Sequence, residues 1–292
     1  MDKGLAETVA QLFRPQAPLW ACEFTSDQII IAGVNARRTK IEGQVASPMP
    51  RGENIAAARP LLRELVSRSG FKGSEIAVVV PDEMARISFL TAEKPSKNPD
   101  EQRTFIRWKL KKSIPFDVDN AQVAYNIIGP SRSGTGVDMI VAVSPRSVVQ
   151  EYEKLFDSMD IHAGIVLPST LAVLNLLDVP AADMLFLKVS SDCMTTTVFQ
   201  NRRVQFYRRV TDVSLYDAIN PTILYYQDKL GGKDLTQLHV CGYGTDLREE
   251  LEEIYEKLGL APKRVEPRDV DDLLKPALGA IHLKPQVAAV NA

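Results

Sequence analysis

The sequence predicts an α/β protein made of two similar halves, with a smaller α+β subdomain inserted into the first. Three observations carry this reading. Residues 20–34 and 184–209 each read as strands joined by short polar turns. Each of these openings leads into an amphipathic helix and then a short, buried strand. Between the two halves, residues 84–160 change character, with strands set around a Lys/Pro/Asn loop and a Gly/Ser turn. A chain of 292 residues is long enough for about two domains.

Taken in order, Leu5, Val9, Leu12 and Phe13 share one helical face before Pro15 and Pro18, which predicts a short amphipathic arm over 1–19. The run WACEFTSDQIIIAGV from Trp20 to Val34 is β-branched and aromatic around Thr25-Ser26-Asp27, the pattern of two strands and a tight turn. A third strand is expected near Lys40 to Val45. Ile55, Leu61, Leu62, Leu65 and Val66 recur at helical spacing from Asn54 to Ser69, and Gly70 stops that helix. The apolar run Glu75 to Val80 is a buried strand ending at Pro81.

In the inserted stretch the pattern predicts strand Ala85 to Leu90 and helix Asp100 to Lys112. Acids at the start of that helix and lysines at its end suit the helix dipole. Strands Ala121 to Ile128 and Val137 to Ser144, helix Pro145 to Met159 and strand Gly164 to Pro168 follow. The final third opens with helix Ser169 to Leu177 and then repeats the beginning of the chain: strand Met184 to Val189, turn Ser190-Ser191-Asp192, strands Thr195 to Phe199 and Val204 to Arg209. Helix Leu215 to Leu230, strand Thr236 to Val240, the turn Gly242-Tyr243-Gly244, helix Asp246 to Leu258 and strand Lys263 to Val265 complete it. The expected boundaries are an arm at 1–19, a first subdomain at 20–83 and 161–182, an insertion at 84–160, a second subdomain at 183–283, and a disordered tail at 284–292.

Composition narrows the classes of function. Lys and Arg number 35 against 37 Asp and Glu, so no global field draws the chain to nucleic acid. Cys22, Cys193 and Cys241 lie far apart in apolar runs and read as buried thiols of a reducing compartment. The opening residues lack the apolar core of a signal peptide, and no stretch is apolar for the 18 or so residues of a membrane span, so a cytoplasmic location is expected. His162, His239 and His282 share no metal-ligand spacing, and Ser113, Ser131 and Ser190 have no adjacent base. No residue is nominated as catalytic.

The duplicated unit with paired polar turns resembles the actin, Hsp70 and sugar-kinase group. The phrase Lys112-Ser113-Ile114-Pro115-Phe116, after an amphipathic helix and before Val118, Ala121 and Tyr125, is similar to the central signature of the PilM family of type IV pilus assembly proteins. Val78 to Pro81, Val141-Ala142-Val143, Phe206 to Arg209, Tyr225-Tyr226 and Ala277 to Leu283 extend the similarity in the same order from Trp20 to Leu283. The resemblance implies an actin-like fold with ATP and magnesium as the family's ligands. By that resemblance Thr25, Ser26, Ser190, Ser191, Gly242 and Gly244 stand at the nucleotide-contacting turns.

Departures from the pattern are informative. Glu23-Phe24-Thr25-Ser26 stands where the family has an Asp-Ile-Gly-Ser turn, and Lys188-Val189-Ser190 where the second Asp-Ile-Gly belongs. An ammonium in place of a metal-binding acid repels magnesium, so productive metal binding is not expected, while Gly242 and Gly244 mark either residual nucleotide binding or an ordinary strand-to-helix turn. The connection after Arg209 is also too short for the family's fourth, lid-forming subdomain. Glu23 and Lys188, at equivalent points of the two halves, either pair across the cleft or stand as solvated charges. Arg107, Lys109, Lys111 and Lys112 form either a docking face for lipid headgroups or an acidic partner, or a plain solvated helix face.

The resemblance implies a scaffold at the inner membrane. Such a protein binds the N-terminal tail of a PilN-like bitopic membrane protein in a groove between the first subdomain, from Thr25 to Pro81, and the insertion. The pilus motor ATPase or platform protein would be further partners, and ATP turnover would be lost. A GspL-like secretion component and an FtsA-like adaptor are alternatives of the same class. An active ATPase or sugar kinase of the same fold is the rival, and it would need Asp192 or Asp212 as its carboxylate.

Overall fold

The computed structural model describes residues 17–49, 55–131, 134–233, 235–242 and 247–283. Residues 1–16 of the arm expected at 1–19, the tail from 284, and the turn at 243–246 with Gly244 lie outside the described residues.

The first half is a five-stranded sheet of β1 (Trp20–Phe24), β2 (Gln28–Val34), β3 (Ile41–Pro48), β4 (Glu75–Val80) and β8 (His162–Pro168), in the order β3-β2-β1-β4-β8. The second half is a sheet of β9 (Met184–Val189), β10 (Met194–Gln200), β11 (Arg203–Val210), β12 (Gln237–Cys241) and β13 (Ala261–Arg264), in the order β11-β10-β9-β12-β13. Each sheet is an antiparallel three-stranded meander whose first strand then pairs in parallel with a later one. The same strand order twice, from unrelated local sequence, is the duplication that the paired hairpins announced.

Alternation along the strands sorts the layers, because successive side chains point to opposite faces. Ala21, Ala77 and Val79 of the first sheet and Met184 and Phe186 of the second join one core. Between the two sheets in that core lie α4 (Ser169–Leu174) and α7 (Lys275–Ala280). Trp20, Cys22 and Phe24 face the other way, toward α1 (Arg59–Ser69) and α3 (Arg146–Asp157). Leu185, Leu187 and Val189 likewise face α5 (Leu215–Asp228) and α6 (Arg248–Leu258). All three cysteines are buried and unpaired with one another.

Within 84–160, β5 (Arg86–Ala92), β7 (Val137–Pro145) and β6 (Ala121–Pro130) form a separate antiparallel sheet covered by α2 (Pro99–Leu110). The connection from β11 to α5 is only Thr211 to Ser214, so the second half carries no lid subdomain there.

Element edges differ in physically simple ways. The stretch from Ile55 to Ala58 is a 3-10 turn and α1 begins at Arg59, with Pro60 in its first turn where a missing N–H costs nothing. Gly70 caps α1 at φ 77° in the left-handed region, as its sequence position implied. The last strand falls at Ala261–Arg264 rather than Lys263 to Val265, set by pairing with β12. The closing helix runs Lys275–Ala280, earlier than Ala277 to Leu283, because Pro276 suits its first turn. Tyr226 is buried and donates to Asp183 at 2.7 Å, whereas Tyr225 is half-exposed and stacked on Phe206 at 4.3 Å.

Candidate functional site

In β1 and β9 the second-to-last residues are Glu23 and Lys188, on the same alternation as Ala21 and Phe186, so both aim into the middle layer. Both are buried. Neither expected alternative holds: the two are not solvated, and each has a nearer partner than the other. Lys188 Nζ lies 3.7 Å from Asp82 Oδ2 and donates to Ser190 Oγ, while Glu23 Oε1 accepts from Ser169 Oγ at 2.6 Å. Asp82 wins the ammonium because it stands just past Pro81 at the end of β4, between the two halves. It is anchored there by the Thr170 N–H at 2.7 Å, the Thr170 hydroxyl at 2.5 Å and the Thr195 hydroxyl at 3.4 Å.

Burial pushes the Glu23 carboxyl up to about 7, with the Lys188 charge and the Ser169 hydrogen bond pulling the other way. Its second oxygen, Oε2, is buried without a hydrogen-bond partner, as a protonated carboxyl tolerates better than a carboxylate. Burial alone would lower Lys188, but the Asp82 and Glu23 carboxylates raise it by more. Because the folded Glu23 holds its proton more tightly than the unfolded one, its contribution to stability is present below pH 4.5 and is lost as pH rises to about 7. Glu23→Gln is therefore expected to flatten the fall in folding stability over that window, an effect on the order of 3 kcal/mol. Urea unfolding of both proteins at several pH values checks this, and an unchanged slope would refute it.

The polar turns meet each other. Ser26 Oγ and Ser191 Oγ are 2.7 Å apart, and Ser191 also donates to Asp27 at 3.3 Å. The backbone donors expected to cradle phosphates are used internally: Thr25 N–H bonds Gln28 O at 2.9 Å, and Ser190 N–H bonds Cys193 O at 2.8 Å. The Gly242 N–H donates to Asp272 Oδ2 at 2.9 Å. Asp272 in turn pairs with the fully buried Lys275, whose ammonium also donates to Val265 O at 2.6 Å. Only about 20 Å³ remains between these groups, room for about one water. An aspartate thus already accepts from the Gly242 N–H, the one donor of this glycine turn among the described residues. Among the described residues no group of three or more His, Cys, Asp or Glu side chains is placed to hold a metal ion.

The expectation that Asp192 or Asp212 would be the cleft's only carboxylate is also corrected. Asp192 does border the cavity, but Glu23, Asp82 and Asp272 border it as well, while Asp212 sits outside it in the loop after β11 with φ 55°. Asp82 was detectable as the first ionisable residue after a buried parallel strand, at whose carboxyl end sites in α/β sheets gather. Asp272 and Lys275 had no such cue.

A second cavity, of about 220 Å³, lies between the first sheet and the insertion. It is bordered by Ala163 and Ile165 on β8, Gln122 and Ala124 on β6, and Val149 and Tyr152 on α3. Both β8 and β6 are outermost strands of their sheets. Of the stretch from Thr25 to Pro81 expected to form this groove only Val80 borders it, since β8 is the edge nearest the insertion.

Two sheets of identical strand order, facing each other across a pair of helices with polar turns meeting at one end, define an actin-like ATPase fold. The same fold is found in solved structures: a chain of a PilM–PilN type IV pilus biogenesis complex superposes with a TM-score of 0.72 at 15% identity, covering 93% of this chain and 100% of that one. The cytoplasmic domain of EpsL, an inner-membrane component of the Vibrio cholerae type II secretion system, gives 0.56 at 10% identity, over 91% of this chain and 95% of that one. A Bacteroides thetaiotaomicron protein with an actin-like ATPase fold gives 0.58 at 11% identity, over 88% and 93%. No protein-family model and no curated protein matches the sequence. Among the described residues no helix is long and apolar enough to cross a membrane.

Proposed function

We propose that this chain is a cytoplasmic scaffold of a type IV pilus or related secretion assembly, that it binds the tail of a PilN-like bitopic membrane protein, and that it does not turn over ATP. The observation that carries the reading is the pairing of an apolar groove at two sheet edges with a phosphate site filled by the protein's own side chains. A cavity of about 220 Å³ is below the range of small-molecule sites and suits one anchoring apolar side chain of an extended segment. The flanking edges of β8 and β6 offer main-chain hydrogen bonds to such a segment. Similarity to a chain of the PilM–PilN complex favours this partner class. The motor ATPase or platform protein would engage other faces.

Calorimetric titration tests both halves of the proposal. The N-terminal peptide of a bitopic protein encoded beside this chain is expected to bind. Ala124→Trp, which fills the groove from β6, is expected to weaken that binding at least tenfold with folding retained. ATP with magnesium is expected to give no heat. Tight ATP binding accompanied by hydrolysis would sink the scaffold reading and restore an enzyme.

A further inference from the structure

We propose that the α2 face of the insertion is a docking site for an anionic phospholipid surface, with headgroup phosphates held by Arg103, Arg107 and Arg146 and Trp108 seated at headgroup depth. The inference does not depend on the peptide groove, although Gln122 borders both.

Three arginines converge on one open pocket of about 420 Å³, lined also by Thr104 and Gln122. Arg103 and Arg107 lie one turn apart on α2, and Arg146 opens α3 from the other side. Asp100, the one carboxylate in the lining, is engaged by Arg103 at 2.8 Å. Arg107 spends one terminal nitrogen on Ala121 O at 3.2 Å, and its Nε is buried without any partner. A buried guanidinium N–H left unmade is costly, and a phosphate oxygen is the acceptor that guanidinium geometry matches best.

One turn beyond Thr104 stands Trp108, 67% exposed and the most exposed large apolar side chain among the described residues. Phe105 packs beside it at 6.3 Å, and Lys109 Nζ lies 5.2 Å over the indole. Residues 102–116 hold five cations and no acid. Arg103 and Lys111 are paired with Asp100 and Asp119, which leaves Arg107, Lys109, Lys112 and Arg146 without a carboxylate among the described residues. An indole amid uncompensated cations suits the membrane interface, where its ring is buried and its N–H stays wet. An acidic protein surface would satisfy the charges but gives no reason for the protruding ring.

The full chain is incubated with vesicles of phosphatidylcholine alone and with vesicles containing phosphatidylglycerol, and sedimentation and tryptophan emission are read. Only Trp20 and Trp108 emit, and Trp20 is already buried, so a blue shift reports Trp108. Binding and the shift are expected with phosphatidylglycerol only, and to weaken with salt. Each basic residue near such a surface is worth about a fivefold change in affinity. Arg107→Gln should therefore lose about fivefold and Lys112→Glu about 30-fold, while Trp108→Ala should abolish the shift. Lys112 is exposed and unpaired, so its variant folds even if Arg107→Gln does not. Equal sedimentation with phosphatidylcholine, or a Lys112→Glu chain that binds as the parent does, overturns the proposal. So does displacement by inorganic phosphate beyond that by chloride of equal ionic strength, which would mark a site for free phosphate. Capture of a polyglutamate peptide with no vesicle binding would assign the face to an acidic protein instead.

Discussion

Asp82→Ala is expected to cost about 3–5 kcal/mol of folding stability, measured as a shift in the urea midpoint at constant slope. The side chain serves Lys188 at 3.7 Å and Thr170 through both backbone and hydroxyl, and alanine abandons all of these at once in a buried place. The expensive loss is at the buried ammonium, which keeps the Ser190 hydroxyl but loses its nearest carboxylate. Asp82→Asn should fall between, because an amide oxygen still accepts from the Thr170 N–H. Adding Lys188→Met to Asp82→Ala should recover part of the loss, since the uncompensated charge goes with it. A single Asp82→Ala chain within 1 kcal/mol of the parent, roughly the value of an ordinary hydrogen bond, would show that Lys188 does not lean on Asp82.

The second large effect is expected at Gly279, where α7 crosses α4 backbone against backbone. A Cβ there would meet Ala172 O at 2.1 Å and Ala172 C at 2.7 Å, and Asn175 Nδ2 donates to the Gly279 carbonyl at 3.1 Å. Main chain cannot swing aside as a side-chain tip does, so Gly279→Val must drive the two central helices apart. About 3 kcal/mol is expected, the upper end of ordinary overpacking, which for a domain of this size lowers Tm by about 6 to 12 °C. Gly279→Ala should show a smaller loss of the same sign. A neutral Gly279→Ala would mean the helices slide freely.

Much of this architecture was legible because it rests on local pattern. Apolar and β-branched runs before polar turns marked β1 and β9, the Pro81 boundary closed β4, and the matched order of hairpin, helix and strand exposed the duplication. Gly279 was visible as a glycine in the closing helix, though its crossing partner, more than a hundred residues earlier, was not. The candidate site was read less well, for a physical reason. Thr25, Ser26, Ser190 and Ser191 could be placed at their turns, but whether two turns face a ligand or each other depends on a separation of a few ångströms between halves. Glu23 and Lys188 were rightly seen as equivalent. Their true partners, Ser169 and Asp82, enter from elements whose approach no spacing in the chain records. The arginine pocket is of the same kind, since Arg146 joins Arg103 and Arg107 only through the packing of α3 beside β6.

The central helix pair also bears on the order in which the protein can be made. Helix α7 lies against β1, β2 and β4 of the first sheet, so that sheet's inner face has no complete cover until residues 275–283 leave the ribosome. During synthesis the first half is therefore a sheet with one apolar side open, the species most inclined to stick to its neighbours. Chains cut short before Lys275 would remain in that condition, and the burden on chaperones falls on the whole interval between translation of β4 and of α7.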